Sequence, residues 1–197
     1  GIEEVYGMHN MPGLPVGAFA IRRGPIMAST DEFTITVKGR GGHAAQPHGT
    51  IDPAVVGAQI VTNLQQIVSR TVNPLRSMVV SVTKFNAGFA YNVIPNDATI
   101  CGTVRTLTPE DRELAERRIG EIVAGISAAH GAEASVAYHR NYPVTFNHAR
   151  ETDYAADSAR AIGGDDNVNV DVDPMMGGED FSYMLNARPG AFIFIGN

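Results

Sequence analysis

The chain's six histidines are the first place to look for chemistry, because imidazole ligates metals and donates to oxyanions. His9 follows the apolar run Val5-Tyr6-Gly7-Met8 and opens the proline-stiffened Asn10-Met11-Pro12-Gly13-Leu14-Pro15. At the end of a buried strand it is placed to ligate a metal in a cleft. The simpler alternative is a loop histidine, since one imidazole cannot hold Zn²⁺ alone. His43 lies in Gly39-Arg40-Gly41-Gly42-His43-Ala44-Ala45-Gln46-Pro47-His48. Small neighbours leave room for a ligand, and a ring N–H suits a developing oxyanion; a surface loop that merely turns fits equally. Arg105 sits on an otherwise apolar strand, where its fork suits a carboxylate, and Asn92 in Tyr91-Asn92-Val93-Ile94-Pro95 offers an amide donor. Together they could hold a substrate carboxylate and polarise a carbonyl; the alternative is an exposed arginine and a turn asparagine. Glu179 and Asp180 read as first-turn acids of a helix, with a supporting role behind a metal ligand open to Glu179. His130, His139 and His148 carry no partner motif.

The elements that must position these residues are written in period and punctuation. Val5–Met8 and Ala18–Ile21 read as short strands, the second stopped by Gly24-Pro25. Phe33, Ile35 and Val37 alternate with Thr34, Thr36 and Lys38, which predicts a half-buried strand. Asp52-Pro53 caps a helix whose apolar positions Val56, Ile60, Leu64 and Ile67 run to about Arg70. Residues 78–85 and 99–107 are β-branched strands. Thr108-Pro109-Glu110-Asp111 opens a second helix with the predicted stripe Ala115, Ile119, Ile122, Ile126 and Ala129. Residues 133–142 complete a β-α-β-β-α-β order, the split-βαβ, ferredoxin-like pattern of an antiparallel sheet with both helices on one face. A helix over 150–162, an acidic stretch to Asp173 and an apolar strand Ala191–Ile195 follow.

The 197 residues are 44% hydrophobic, which excludes a disordered chain. Lys+Arg 15 against Asp+Glu 21 gives a net charge of -6, so no nucleic-acid backbone is expected as partner. No run of about 18 apolar residues offers a membrane span. The one cysteine, Cys101, forms no internal disulfide, which fits a reducing, cytoplasmic setting.

Four segments in fixed order, Tyr6-Gly7-Met8-His9-Asn10, Gly41-Gly42-His43-Ala44-Ala45-Gln46-Pro47-His48, Asn92-Val93-Ile94-Pro95 and Gly177-Gly178-Glu179-Asp180-Phe181, resemble the metal-dependent amidohydrolases. That family comprises aminoacylases, hippurate hydrolases and carboxypeptidase G, and the bacterial N-acyl-L-amino-acid amidohydrolase branch is the nearest in character. The resemblance implies an α/β (α+β) fold, with a ferredoxin-like lid that dimerises inserted in an α/β metallopeptidase-type catalytic domain. Residues 1–29 and 144–197 would belong to the catalytic domain and 30–143 to the lid. It implies that His9 ligates metal. His43 would stabilise the oxyanion in the partner subunit's site, Asn92 and Arg105 would bind the substrate carbonyl and carboxylate, and Glu179 would stand behind the metal ligands. The implied reaction is hydrolysis of N-acyl amino acids by two divalent metal ions (Zn, Mn, Co or Ni) in a homodimer. The family's His-Asp-Gly-His segment and its Glu-Glu-Gly general base are absent. The resemblance therefore implies an internal piece of a longer enzyme, one that alone hydrolyses little. The rival expectation is a ferredoxin-like small-molecule-binding or dimerisation module without catalysis.

Overall fold

The computed structural model describes residues 1–197 and is a mixed α/β protein. It divides into two compact units. One comprises Gly1–Thr30, Thr106–Pro109 and Tyr142–Asn197; the other comprises Asp31–Arg105 and Glu110–Asn141.

The first unit is built on the strand Gly190–Gly196. It pairs in parallel with Val5–Met11, in the register Gly7↔Phe192 and His9↔Phe194, and antiparallel with Phe19–Ala20. Val168–Asn169 closes the sheet beside Phe19–Ala20. Alternation along the central strand sends side chains to two faces, and both are covered, as a near-continuous apolar run requires. Ala191 and Ile193 pack with Phe19, Ile21, Ala156 and Ala159, the last two from the helix Ala149–Gly163. Phe192 and Phe194 pack with Ile26, Met27 and Leu185. Buried Asn147 ties this together: its amide donates to the carbonyls of Arg22 and Phe192, and its oxygen accepts from Phe192 N at 2.7 Å. A buried amide so satisfied is an anchor rather than a cost.

The second unit has the element order strand Ser29–Lys38, helix Pro53–Gln66, strands Met78–Ala87 and Asp97–Thr106, helix Pro109–Ala129 and strand Glu133–Arg140. The sheet order places Asp97–Thr106 between Met78–Ala87 and Ser29–Lys38, with Glu133–Arg140 antiparallel on the far edge. Phe33, Ile35, Val37, Ile100 and Val104 meet Val56, Ile60, Leu64, Ala115 and Ile119 in a single core. Asp52 caps the first helix, accepting from Ala54 N at 2.9 Å.

Several sequence expectations are corrected. Gly24-Pro25 does not stop a strand but begins one, Gly24–Met27, which pairs antiparallel with Thr145–Asn147. Proline is tolerated at the start of such a two-stranded ribbon. The first helix ends its α-helical hydrogen bonding at Gln66 and continues as a π-turn, Ile67–Thr71. The buried stripe of the second helix is Asp111, Ala115, Ile119, Val123 and Ser127, not one through Ile122 and Ile126, which flank the core. Asp111 is no solvated first-turn acid: it is buried and paired with Arg76 at 2.8 Å. The expected helix start at Glu179 lies three residues early, since the helix is Ser182–Ala187. No helix is long and apolar enough to cross a membrane.

Candidate functional site

Two constellations emerge, one in each unit. In the first unit, His9 lies on the strand Val5–Met11 and Glu179 in the turn before the helix Ser182–Ala187. Their side chains meet, His9 Nδ1 to Glu179 Oε2 at 3.4 Å, with the histidine 48% and the glutamate 18% exposed. The imidazole lies beside Phe192, ring centres 6.3 Å apart, and Phe192 stacks at a tilt on Phe181. Gly7 makes room for both rings: a Cβ there would come within 2.8 Å of Phe192 and 3.0 Å of Phe181. Gly178 lets its backbone pass Thr30, whose methyl would lie 2.0 Å from an added Cβ. The glycine directly before Glu179 thus has a packing reason. A carboxylate behind one ring nitrogen leaves the other facing outward, the orientation that a metal-ligating imidazole needs.

That pair fits one corner of a metal site. No group of three or more His, Cys, Asp and Glu is gathered among these residues, and a divalent ion needs at least three protein donors. The chain's own donors therefore do not complete a site.

In the second unit, the two-residue strand Gly42–His43 pairs antiparallel with Val93–Ile94, in the register His43↔Val93. Ala44 N donates to the Asn92 carbonyl at 2.9 Å, which closes the pairing. The glycine-rich loop is thereby fastened to the turn that carries Asn92. Gly41 allows the approach, because a Cβ there would meet the Ile94 carbonyl at 2.5 Å. Ala45 N donates to His43 Nδ1 at 3.1 Å. An acceptor at Nδ1 puts the ring proton of the neutral imidazole on Nε2. His43 is exposed, so this Nε2–H is a presented donor. The Asn92 side-chain amide is exposed as well and has no hydrogen-bond partner in the chain. Two unengaged donors sit on adjoining segments, the composition of an oxyanion- or carbonyl-binding site.

Arg105 belongs to the same unit, on the strand Asp97–Thr106. Alternation puts Ala98, Ile100 and Val104 into the core and Arg105 on the opposite, half-buried face. Its Nε donates to Thr103 Oγ1 at 3.2 Å, and it forms no ion pair with any carboxylate of the chain. Sequence reading missed Thr103. The signal was its position two residues before Arg105, on the same face of the strand. His130 bonds Gln59 at 2.9 Å, and His148 flanks the helix Ala149–Gly163 with Nδ1 at the Gly190 backbone.

Comparisons with known proteins identify the family. The chain is 39% identical to N-acetylcysteine deacetylase of Bacillus subtilis (strain 168), over all of this chain and 51% of that protein. It is also 39% identical to the hippurate hydrolase of Campylobacter jejuni subsp. jejuni, over 99% of this chain and 51% of that one. The crystal structure of the Bacillus subtilis YXEP protein, described as a dinuclear metal binding peptidase of the M20 family, superposes with a TM-score of 0.81 at 34% identity. That match covers 100% of this chain and 48% of the other. The chain thus spans about half the length of the relatives it matches. The family model for peptidase family M20/M25/M40 matches residues 1–197, and the chain belongs to that family.

Proposed function

We propose that the chain is the lid-bearing portion of a metal-dependent amidohydrolase that hydrolyses N-acyl amino acids, releasing a carboxylic acid and an amino acid. Hippurate-like compounds represent the substrate class. Residues 30–143 form the ferredoxin-like lid, through which two copies dimerise, and residues 1–29 and 144–197 are portions of the catalytic domain. The observation that carries this reading is the pair of presented donors, His43 Nε2–H and the Asn92 amide, in a chain matched by the family over its whole length.

Each residue has one task. Arg105 binds the substrate α-carboxylate, for which a guanidinium held at Nε by Thr103 and paired with no carboxylate of the chain is suited. Asn92 donates to the scissile carbonyl. His43 donates to the same oxygen as it becomes an oxyanion, in the partner subunit's site, and this donor strengthens as charge develops. His9, steadied by Glu179, would offer one imidazole to a pair of divalent ions (Zn, Mn, Co or Ni). When bound, such ions supply an activated water.

Incompleteness of the catalytic portion has its own support. The edge strand Val5–Met11 is paired on one side only, beside an apolar cleft of about 440 Å³ lined by Tyr6, Met8, Phe19, Tyr154, Ile162 and Ile193. A parallel edge with an uncovered apolar face is what remains when neighbouring elements are elsewhere. A purely ligand-binding or dimerising module would leave the His9–Glu179 pairing without a purpose.

The test is His43→Ala in the enzyme that contains this chain, assayed on N-benzoylglycine. Removing one oxyanion donor is expected to lower kcat about 10²–10³-fold with the dimer intact. An unchanged kcat contradicts the assignment.

A further inference from the structure

Thr103 and Arg105 stand two residues apart on the face of the sheet away from the core. Arg105 Nε–H donates to Thr103 Oγ1 at 3.2 Å, and the Thr103 hydroxyl donates to the Asp31 carbonyl at 2.9 Å. A hydroxyl has one proton and two lone pairs. With the proton engaged by the carbonyl, the oxygen can only accept from Arg105. Asp31 is itself anchored: its carboxylate is fully buried, forked by Arg112 and bonded by the Tyr138 hydroxyl at 2.8 Å. The order of attachment runs from a buried ion pair to a main-chain carbonyl, to a hydroxyl, to Nε of an arginine that has no acidic partner.

We infer that Thr103 is a positioning residue for Arg105, fixing the guanidinium plane through Nε so that both Nη groups face the α-carboxylate of an N-acyl amino acid. The inference rests on the reading of Arg105 as the carboxylate-binding group. A free arginine side chain loses rotamer freedom when it captures an anion. A bond made beforehand removes part of that loss. The gain is the same in ground state and transition state, so it acts on KM and leaves kcat alone.

Thr103→Val in the enzyme that contains this chain keeps the side-chain shape and removes the hydroxyl. The expected result is a KM for N-benzoylglycine raised about tenfold, with kcat within about twofold of the parent. KM for N-benzoylglycinamide, which lacks the carboxylate, stays unchanged. Thr103→Ser restores the acceptor and returns KM to the parent value. Arg105→Lys separates this inference from the reading beneath it. If Arg105→Lys raises KM for the acid alone and Thr103→Val does not, the positioning role is overturned and the reading of Arg105 stands. If Arg105→Lys changes acid and amide equally, the reading of Arg105 fails and the inference with it. A fall in kcat on both substrates with a lowered Tm in Thr103→Val makes Thr103 merely structural and also overturns it. Should Thr103→Val not fold, proton exchange at Arg105 Nε–H in the unmodified protein decides by NMR. Slowed exchange supports the bond, and the rate of a free arginine side chain overturns it.

Discussion

Asp31 is a carboxylate wholly removed from water, and three donors compensate it: Arg112 Nε and Nη2 and the Tyr138 hydroxyl. Breaking a buried pair by removing one partner costs far more than replacing both, because an uncompensated charge is left behind. Arg112→Ala should therefore lower unfolding free energy by about 3–5 kcal/mol in denaturant titration, whereas Asp31→Leu with Arg112→Met should cost much less. Tyr138 reports on the same cluster. Burial, then the hydrogen bond to Asp31, push its phenol well above the ordinary value. A group whose folded pKa is raised stabilises the fold at pH values below its unfolded pKa, about 10 for tyrosine, and that contribution is lost as pH rises through the folded value. Stability should thus fall above about pH 10, and Tyr138→Phe should flatten that alkaline decline in thermal melts across pH. An unchanged decline would remove Tyr138 from the linkage. Tyr6, raised to about 12 by desolvation and its bond to Glu4, titrates late as well, so the comparison needs the single variant rather than bulk tyrosine absorbance.

The central sheet of the second unit depends on one close approach. An added Cβ at Gly102 would lie 2.2 Å from Phe33 Cζ and 2.3 Å from the Ser81 carbonyl. The first is a fully buried ring and the second a neighbouring strand's backbone, so neither yields easily. Gly102→Ala should destabilise by about 3 kcal/mol in chemical unfolding, and a near-neutral result would mean the Phe33 ring has room to move. The same sheet shows what a sequence discloses. Phe33, Ile35 and Val37 announce their strand because one face is buried and the period is two. Asp52-Pro53 announces its helix because capping is local. Gly42–His43 announces nothing: two residues are too few for a period, and their partner lies about fifty residues on. The meeting of His9 with Glu179 is likewise invisible locally, as it spans most of the chain. The residue types suggested chemistry at His9, His43 and Asn92; the contact with Glu179 and the His43 tautomer needed three dimensions.

The molecule has two centres of organisation with different degrees of closure. The unit that carries His43, Asn92 and Arg105 holds one continuous core between a sheet and two helices. The unit that carries His9 is assembled from three stretches of chain and leaves the edge strand Val5–Met11 and its apolar cleft uncovered. The relatives that the chain matches are about twice its length, and the proposed division of labour takes up this contrast. In that division His9 serves the metal site of its own subunit while His43 serves the partner's, so the two lesions should complement each other. Co-expressing a His9→Ala subunit with a His43→Ala subunit of the enzyme that contains this chain, and measuring N-benzoylglycine hydrolysis, tests this directly. Each variant alone should be nearly inactive. Random pairing makes half the dimers mixed, each with one intact site of two, so about a quarter of the parent activity should return. Activity that stays at the level of the separate variants would contradict the shared site.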